Sequence, residues 1–282
     1  MGRIVAGIGT SHVPSIGPAY DQKKQDTDAW RPLFEPYAEV KRWLKEEVKP
    51  DVAIIAYNDH GTDFFFDKVP TFAIGVADRY AIGDEGFGPR PLPPVRGDVK
   101  YSGQLIDRLI ADEFDLTVCQ EMAVDHGLLA PLPLLFSEDP DWDVRVVPLQ
   151  VNVLQHPLPT SHRCFSLGQA LRRAVEDIDD DTRVVVIGTG GMSHQLHGER
   201  FGHLNSEFDH YFLDTLRDDP QKLVEIDHVE LMRQTGAEGV ELIMWLTMRG
   251  ALQESVREVH RNYYAPMTTG MGLITLVDSQ TN

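Results

Sequence analysis

Short β-branched runs separated by longer amphipathic stretches constrain this chain more than any other feature, because that alternation belongs to α/β folds. Apolar runs predict strands over Ile4–Ile8, Val52–Tyr57, Thr71–Val76, Leu116–Cys119, Val144–Val153, Val184–Ile187 and Leu273–Val277. Helical periodicity predicts Pro32–Val48, Ser102–Ala111, Leu167–Asp177, Ser206–Arg217 and Ala237–Leu252. The expectation is a single domain over residues 1–282, with a central mixed sheet flanked by helices and an active site at the strand ends. With 282 residues, 42% of them hydrophobic, the chain can bury a substantial core. The irregular stretch Gly83 to Val95 (GDEGFGPRPLPPV) is too short for a linker and reads as a surface loop.

A formal net charge of −18 opposes binding to a phosphate backbone, so nucleic acid is not an expected partner. It also repels an anionic substrate at long range, so a carboxylate ligand must find local donors or a partner's basic groups. The two cysteines, Cys119 and Cys164, have no metal-thiolate or disulfide spacing. No run approaches the roughly 18 apolar residues of a membrane span, and MGRIVAGIGTSH has no long apolar signal region. A cytoplasmic location without membrane partners is the expectation.

Several histidines come directly after predicted strands. His12 follows RIVAGIGTS, His60 follows VAIIAYND, and His194 follows VVVIGTGGMS. Ligands of open α/β sheets gather beyond the carboxyl ends of strands, so side chains distant in sequence can converge there. Each histidine, taken singly, could equally be a loop residue bonded to backbone. Asp59, beside His60, could orient a metal-binding histidine or simply cap a turn.

Glu241 lies in AEGVELIMWLTMRGAL, a predominantly apolar helical stretch where it shares a face with Ala237, Met244, Trp245 and Met248. A buried carboxylate must be paired, protonated or bound to a cation; the competing expectation is an end-of-stripe Glu that reaches solvent or pairs with Arg249. Two histidines and one carboxylate without thiolates form the facial set of non-haem iron(II) oxygenases. Zinc in a hydrolase can use the same ligands, so ligand type leaves the metal open.

The Gly-rich GTGGMS turn matches no phosphate-binding pattern. It reads instead as a place where backbone and substrate approach closely, with His194 as acid/base. His126, in AVDHGLLAPL, divides between a pocket role and a core role. His197 reads as a surface or supporting residue.

In order and spacing, TSHVPSIG, AYNDH, PTFAIG, DEGFGPRP, VDHG, GTGGMSHQLHG, EFD and GVELIMWLTMRGAL span nearly the whole chain. Together they resemble the β (catalytic) subunits of protocatechuate 4,5-dioxygenases, within the class III extradiol ring-cleaving dioxygenases. That resemblance implies Fe(2+) held by His12, His60 and Glu241, with His194 as acid/base and His126 as a further catalytic pocket histidine. It implies substrate contacts from Asn58 and Thr268, with Thr269 the alternative because APMTTGMG is one residue shorter than the family's usual form. The implied reaction is extradiol cleavage of protocatechuate by O2 to a muconic semialdehyde, with gallate and 3-O-methylgallate as alternative carboxylated catechols. The resemblance further implies a separate small α subunit in an α2β2-type assembly, a counterpart of which single-chain gallate dioxygenases carry fused. A zinc-dependent hydrolase and a non-catalytic scaffold are the competing classes.

Overall fold

The computed structural model describes residues 1–279. Its strands are β1 (Arg3–Thr10), β2 (Val52–Tyr57), β3 (Phe72–Gly75), β4 (Arg79–Ile82), β5 (Val95–Arg96), β6 (Thr117–Cys119), β7 (Ala123–Val124), β8 (Arg145–Val151), β9 (Arg183–Thr189), β10 (Val256–Tyr264) and β11 (Met271–Asp278). The helices are α1 (Ile16–Asp21), α2 (Arg31–Trp43), α3 (Val99–Ala111), α4 (His126–Leu129), α5 (Leu132–Leu135), α6 (Ser161–Asp177), α7 (Ser206–Asp218), α8 (Gln221–Val224), α9 (His228–Thr235) and α10 (Leu242–Gly250). Among the described residues no helix is long and apolar enough to cross a membrane.

Eight strands form one mixed sheet in the order β10-β11-β1-β9-β2-β8-β3-β6. Its centre, β1, β9, β2 and β8, is parallel, while β11 runs antiparallel to β1 and β3 antiparallel to β8. The parallel centre is covered on both faces, which is why these strands read as continuous apolar runs rather than alternating ones. Every residue of β2 is buried. Ile54 packs with α3, α6 and α10 on one face, and Ile55 with α2 and the Leu128–Phe136 segment on the other.

The strand expectations hold for seven of the eight strands in this sheet, to within a few residues. The exception is β10. It lies at the sheet edge, half-buried, and its Glu258 and Arg261 pair with each other while Arg217 of α7 also reaches Glu258. An edge strand with charged side chains has no apolar run to reveal it. The expected surface loop from Gly83 ends in β5, part of a small sheet ordered β5-β4-β7.

The expected helix Ala237–Leu252 is divided: a 3-10 turn, Glu238–Glu241, leads into α10. α10 lies flush on the sheet because Gly188 has no side chain; a Cβ there would come within 2.4 Å of the Met244 carbonyl oxygen. This close packing carries Glu241, one residue before α10, to the carboxyl ends of β1, β9 and β2.

Candidate metal centre

Because β1, β9 and β2 are parallel neighbours, the loops leaving them lie side by side. His12 comes two residues after β1, His60 three after β2, and the Gly190–His194 loop directly after β9. Glu241 enters from the helix layer: Oε2 stands 3.1 Å from Nε2 of His12, and Oε1 stands 3.8 Å from Nε2 of His60. The backbone N–H of Gly191 donates to Glu241 Oε2 at 2.6 Å. Gly190 has φ +140, and a Cβ on it would lie 2.8 Å from the Glu241 Cβ, so glycine here is a condition for the carboxylate's position.

Burial alone would raise the Glu241 carboxyl, yet His12, His60 and His194 together hold it well below the usual range. His12 is held below its ordinary value by burial, against the opposing pull of Glu241. With Nδ1–H of His12 donating to Thr189 Oγ1 at 2.9 Å, its Nε2 keeps a lone pair. That nitrogen is buried without a geometric hydrogen-bond partner, and Glu241 Oε2 stands 3.1 Å away. Burial would lower His60, but Asp125 and Glu241 outweigh it and raise the imidazole to about 10. An orphaned imidazole nitrogen, a second histidine and an ionised carboxylate facing one another fit a divalent cation.

His126 brings a third ring to the cluster. One ring nitrogen each from His12, His60 and His126 lie within 4.8 Å of one another. The His126 ring stacks on His60 with centroids 3.8 Å apart and planes at 27°. His194 faces the same space, its Nε2 3.9 Å from Glu241 Oε2. Its Nδ1–H donates to the Met192 carbonyl at 2.8 Å, which leaves Nε2 as the acceptor. All five side chains line one cavity of ≈ 500 Å³, with Val13, Pro14, Leu154, Met267 and Met271 among its apolar wall residues.

Thr268 and Thr269 both line this cavity, and the backbone of Thr269 bridges to His194. Asn58 is different. It is fully buried behind His60, with Nδ2 3.0 Å from His60 Nε2, and it is not among the cavity-lining residues.

A family profile described as the catalytic LigB subunit of aromatic ring-opening dioxygenase matches residues 6–274. The chain belongs to that family. Within and around it, the gallate dioxygenase of Pseudomonas putida is 47% identical over 195 residues, covering 69% of this chain and 57% of that protein. A 2,3-dihydroxyphenylpropionate/2,3-dihydroxicinnamic acid 1,2-dioxygenase of Paraburkholderia phymatum is 36% identical over 159 residues, covering 55% of this chain and 48% of that one. The chain thus spans about half the length of these curated relatives. Among solved structures, uncharacterized protein JW3007 from Escherichia coli K12 shares the fold at a TM-score of 0.58 and 11% identity, covering 98% of this chain and 100% of that chain.

The geometry of this family member decides two alternatives that the sequence leaves open. Asp59 orients no histidine: its carboxylate accepts from the backbone N–H groups of Gly61, Thr62, Asp63 and Phe64 and closes the turn. The histidine-orienting carboxylate is Asp125, whose Oδ2 accepts from the backbone N–H of His60 at 2.6 Å and from its Nδ1–H at 3.0 Å. Arg249 does not pair with Glu241 either. Its guanidinium donates to the carbonyls of Leu216, Gln253 and Glu254, which lie at the far end of α10. His197 is exposed and pairs with Glu238 at 2.7 Å, as a supporting surface residue would.

Asp209 went unnoticed in the sequence beyond its place in EFD. Fully buried, it accepts from Ser193 N–H at 2.8 Å, Ser193 Oγ–H at 2.6 Å and Tyr263 O–H at 2.8 Å. It therefore anchors the residue immediately before His194. Its only sequence signal is a carboxylate on the apolar side of α7, with Phe212 and Leu216.

Proposed function

We propose that the protein is an extradiol dioxygenase that opens a carboxylated catechol beside its hydroxyl pair with O2. A trihydroxybenzoate of the gallate type is the best-supported substrate, and protocatechuate the next. The observation that carries the reaction class is the orphaned Nε2 of His12 facing ionised Glu241 in the wall of an aromatic-sized cavity. The 47% identity to a gallate dioxygenase, against 36% to a dihydroxyphenylpropionate enzyme, favours the gallate type.

In this reading His12, His60 and Glu241 hold Fe(2+). Fe(2+) held there would supply the redox chemistry that lets a catechol react with O2. Asp125 keeps His60 turned toward the cluster, and Thr189 does the same for His12. Nε2 of His194 accepts the proton of a diol hydroxyl and later returns it to an oxygen of the opening ring. Val13, Pro14, Leu154 and Met271 exclude water around the ring. Among the described residues no Lys or Arg lines the cavity, so the substrate carboxylate is met by the hydroxyls of Thr268 or Thr269 and by groups from a partner. Asn58 acts on the substrate through His60.

The partner in this reading is a small separate α subunit in an α2β2-type assembly. Its support is the apolar rim: Leu154, Leu196 and Met267 line the cavity and are 43%, 50% and 52% exposed. Cytoplasmic function belongs to the same proposal, since Cys119 and Cys164 are both free.

The test is anaerobic reconstitution with Fe(II) or Zn(II), followed by gallate, protocatechuate or 3-O-methylgallate while O2 uptake and product absorbance are recorded. The expected result is one O2 consumed per ring opened with iron alone, fastest on gallate. Zinc-dependent hydrolysis in the absence of O2 would overturn the assignment, and equal rates on all three acids would remove the substrate preference.

A further inference from the structure

We infer that Glu85 is a positioning residue for the aromatic substrate, acting through His126. This inference rests on the dioxygenase reading and adds a residue to it. Oε2 of Glu85 accepts from the backbone N–H of His126 at 3.1 Å, and Oε1 accepts from its Nδ1–H. One carboxylate thus fixes both the main chain and the ring. With Nδ1 committed, Nε2 has no hydrogen-bond partner among the described residues, in a side chain that lines the cavity.

The fold has a dedicated device for this contact. β4 pairs in parallel with β7, matching Ile82 to Val124, and Gly83 N–H donates to the Val124 carbonyl at 2.8 Å. Beyond that point Asp84 accepts from the N–H groups of Gly86 and Gly88, both at 2.9 Å, which curls the loop around Glu85. The small sheet therefore places Glu85 beside His126 as the pairing of β9 with β2 places the Gly190 loop beside His60. Asp125 and His126 are adjacent, so two carboxylate–histidine pairs share one segment: Asp125 with His60, and Glu85 with His126. The two rings they hold are the stacked pair. Free of Glu85, the His126 ring can turn about its side-chain torsions; held by it, Nε2 meets a substrate hydroxyl on the edge nearest His60. Glu85 is itself 30% exposed, so its replacement leaves no buried void.

The experiment compares the iron-loaded wild type with Glu85→Ala, Glu85→Gln, His126→Ala and the Glu85→Ala/His126→Ala double variant. Diol dissociation constants are measured without O2, together with iron content and the ¹H–¹⁵N signal of the His126 Nδ1–H. The expected result for Glu85→Ala is a loss of diol affinity of about 10–100-fold, the usual range for an orienting carboxylate, with iron content unchanged. Glu85→Gln, whose one acceptor oxygen can still take the Nδ1–H while its NH2 faces the backbone N–H, should restore part of the affinity. The double variant should bind no more weakly than His126→Ala, and the Nδ1–H signal should disappear in Glu85→Ala. Unchanged affinity in Glu85→Ala, or additive losses in the double variant, would overturn the inference. A wild type that binds no catechol at any concentration would instead sink the dioxygenase reading, and the Nδ1–H signal would then decide the Glu85–His126 pairing alone.

Discussion

Replacing Asp125 with Asn changes one atom of a fully buried side chain and removes the charge that orients His60. Oδ2 of Asp125 serves two donors on His60, while Oδ1 accepts from Gly127 N–H at 2.9 Å and caps α4. An amide has a single acceptor oxygen. If that oxygen faces His60, the amide NH2 meets Gly127 N–H, and the lost cap costs about 1 kcal/mol. If it faces Gly127, two His60 donors meet NH2, and the ring must turn or shift its proton to Nε2, the nitrogen needed for metal. In both arrangements His60 loses the negative charge that raises its basicity as a ligand, and the expected loss of metal affinity is about 10–100-fold, or about 1.4–2.8 kcal/mol at 1.4 kcal/mol per factor of ten. Anaerobic Fe(II) titration against a competing chelator measures it.

The metal-free protein supplies an independent check through pH. Burial opposes the ionised form of Asp125, but its bonds to His60 prevail and hold its pKa below the ordinary 3.8. Its stabilisation is therefore present above 3.8 and lost as pH falls through the lower folded value. His60, raised from 6.5 to about 10, stabilises fully below 6.5 and loses that contribution as pH rises through about 10. The destabilisation caused by Asp125→Asn should thus be greatest between 3.8 and 6.5 and shrink toward pH 10. Iron affinity within twofold of wild type, together with a pH-independent stability difference, would refute the orienting role of Asp125.

Gly190→Ala should destabilise the fold by about 1–3 kcal/mol through its φ of +140 and displace Glu241, giving a lower Tm and reduced iron content. His194→Ala should retain iron but slow O2 uptake by about 10²–10⁴-fold, and normal turnover would remove His194 from the proton transfer. Asp209→Ala should cost about 1–3 kcal/mol or more in chemical denaturation, because Ser193 and Tyr263 lose a buried charged acceptor. Burial, resisted by Ser193 and Tyr263, leaves the Asp209 pKa above 3.8. The wild type should therefore lose stability as pH rises from 3.8 through the folded value, because ionising the buried carboxyl costs more than ionising it in the unfolded chain, and Asp209→Asn should not.

Much of this architecture is legible in the order of residues because the central strands are buried on both sides. VAIIAY and VVVIGT can have few other fates, and the histidines after them fall at strand ends wherever the sheet is placed. Glu241 is legible for a related reason, since a carboxylate in GVELIMWL demands a counter-charge. β10 is not, because an edge strand shares its charged residues with solvent and neighbouring helices. Asp59 and Asp125 show the same divide within the site. Adjacency in sequence leaves Asp59 free to serve His60 or its own turn; the turn uses it for its own N–H groups, and Asp125 arrives from 65 residues away.

The amino-acid order by itself therefore determines the α/β layering, the positions of the strand-end histidines and that Glu241 must be paired, protonated or bound to a cation, because these follow from local periodicity and the cost of burying charge. Only the tertiary structure decides which carboxylate serves which ring, that Thr268 and Thr269 both face the cavity, and that Glu85 meets His126. Such pairings depend on which loops become neighbours across β1, β9, β2 and the small sheet, and hydrogen bonds that short carry no trace in sequence spacing.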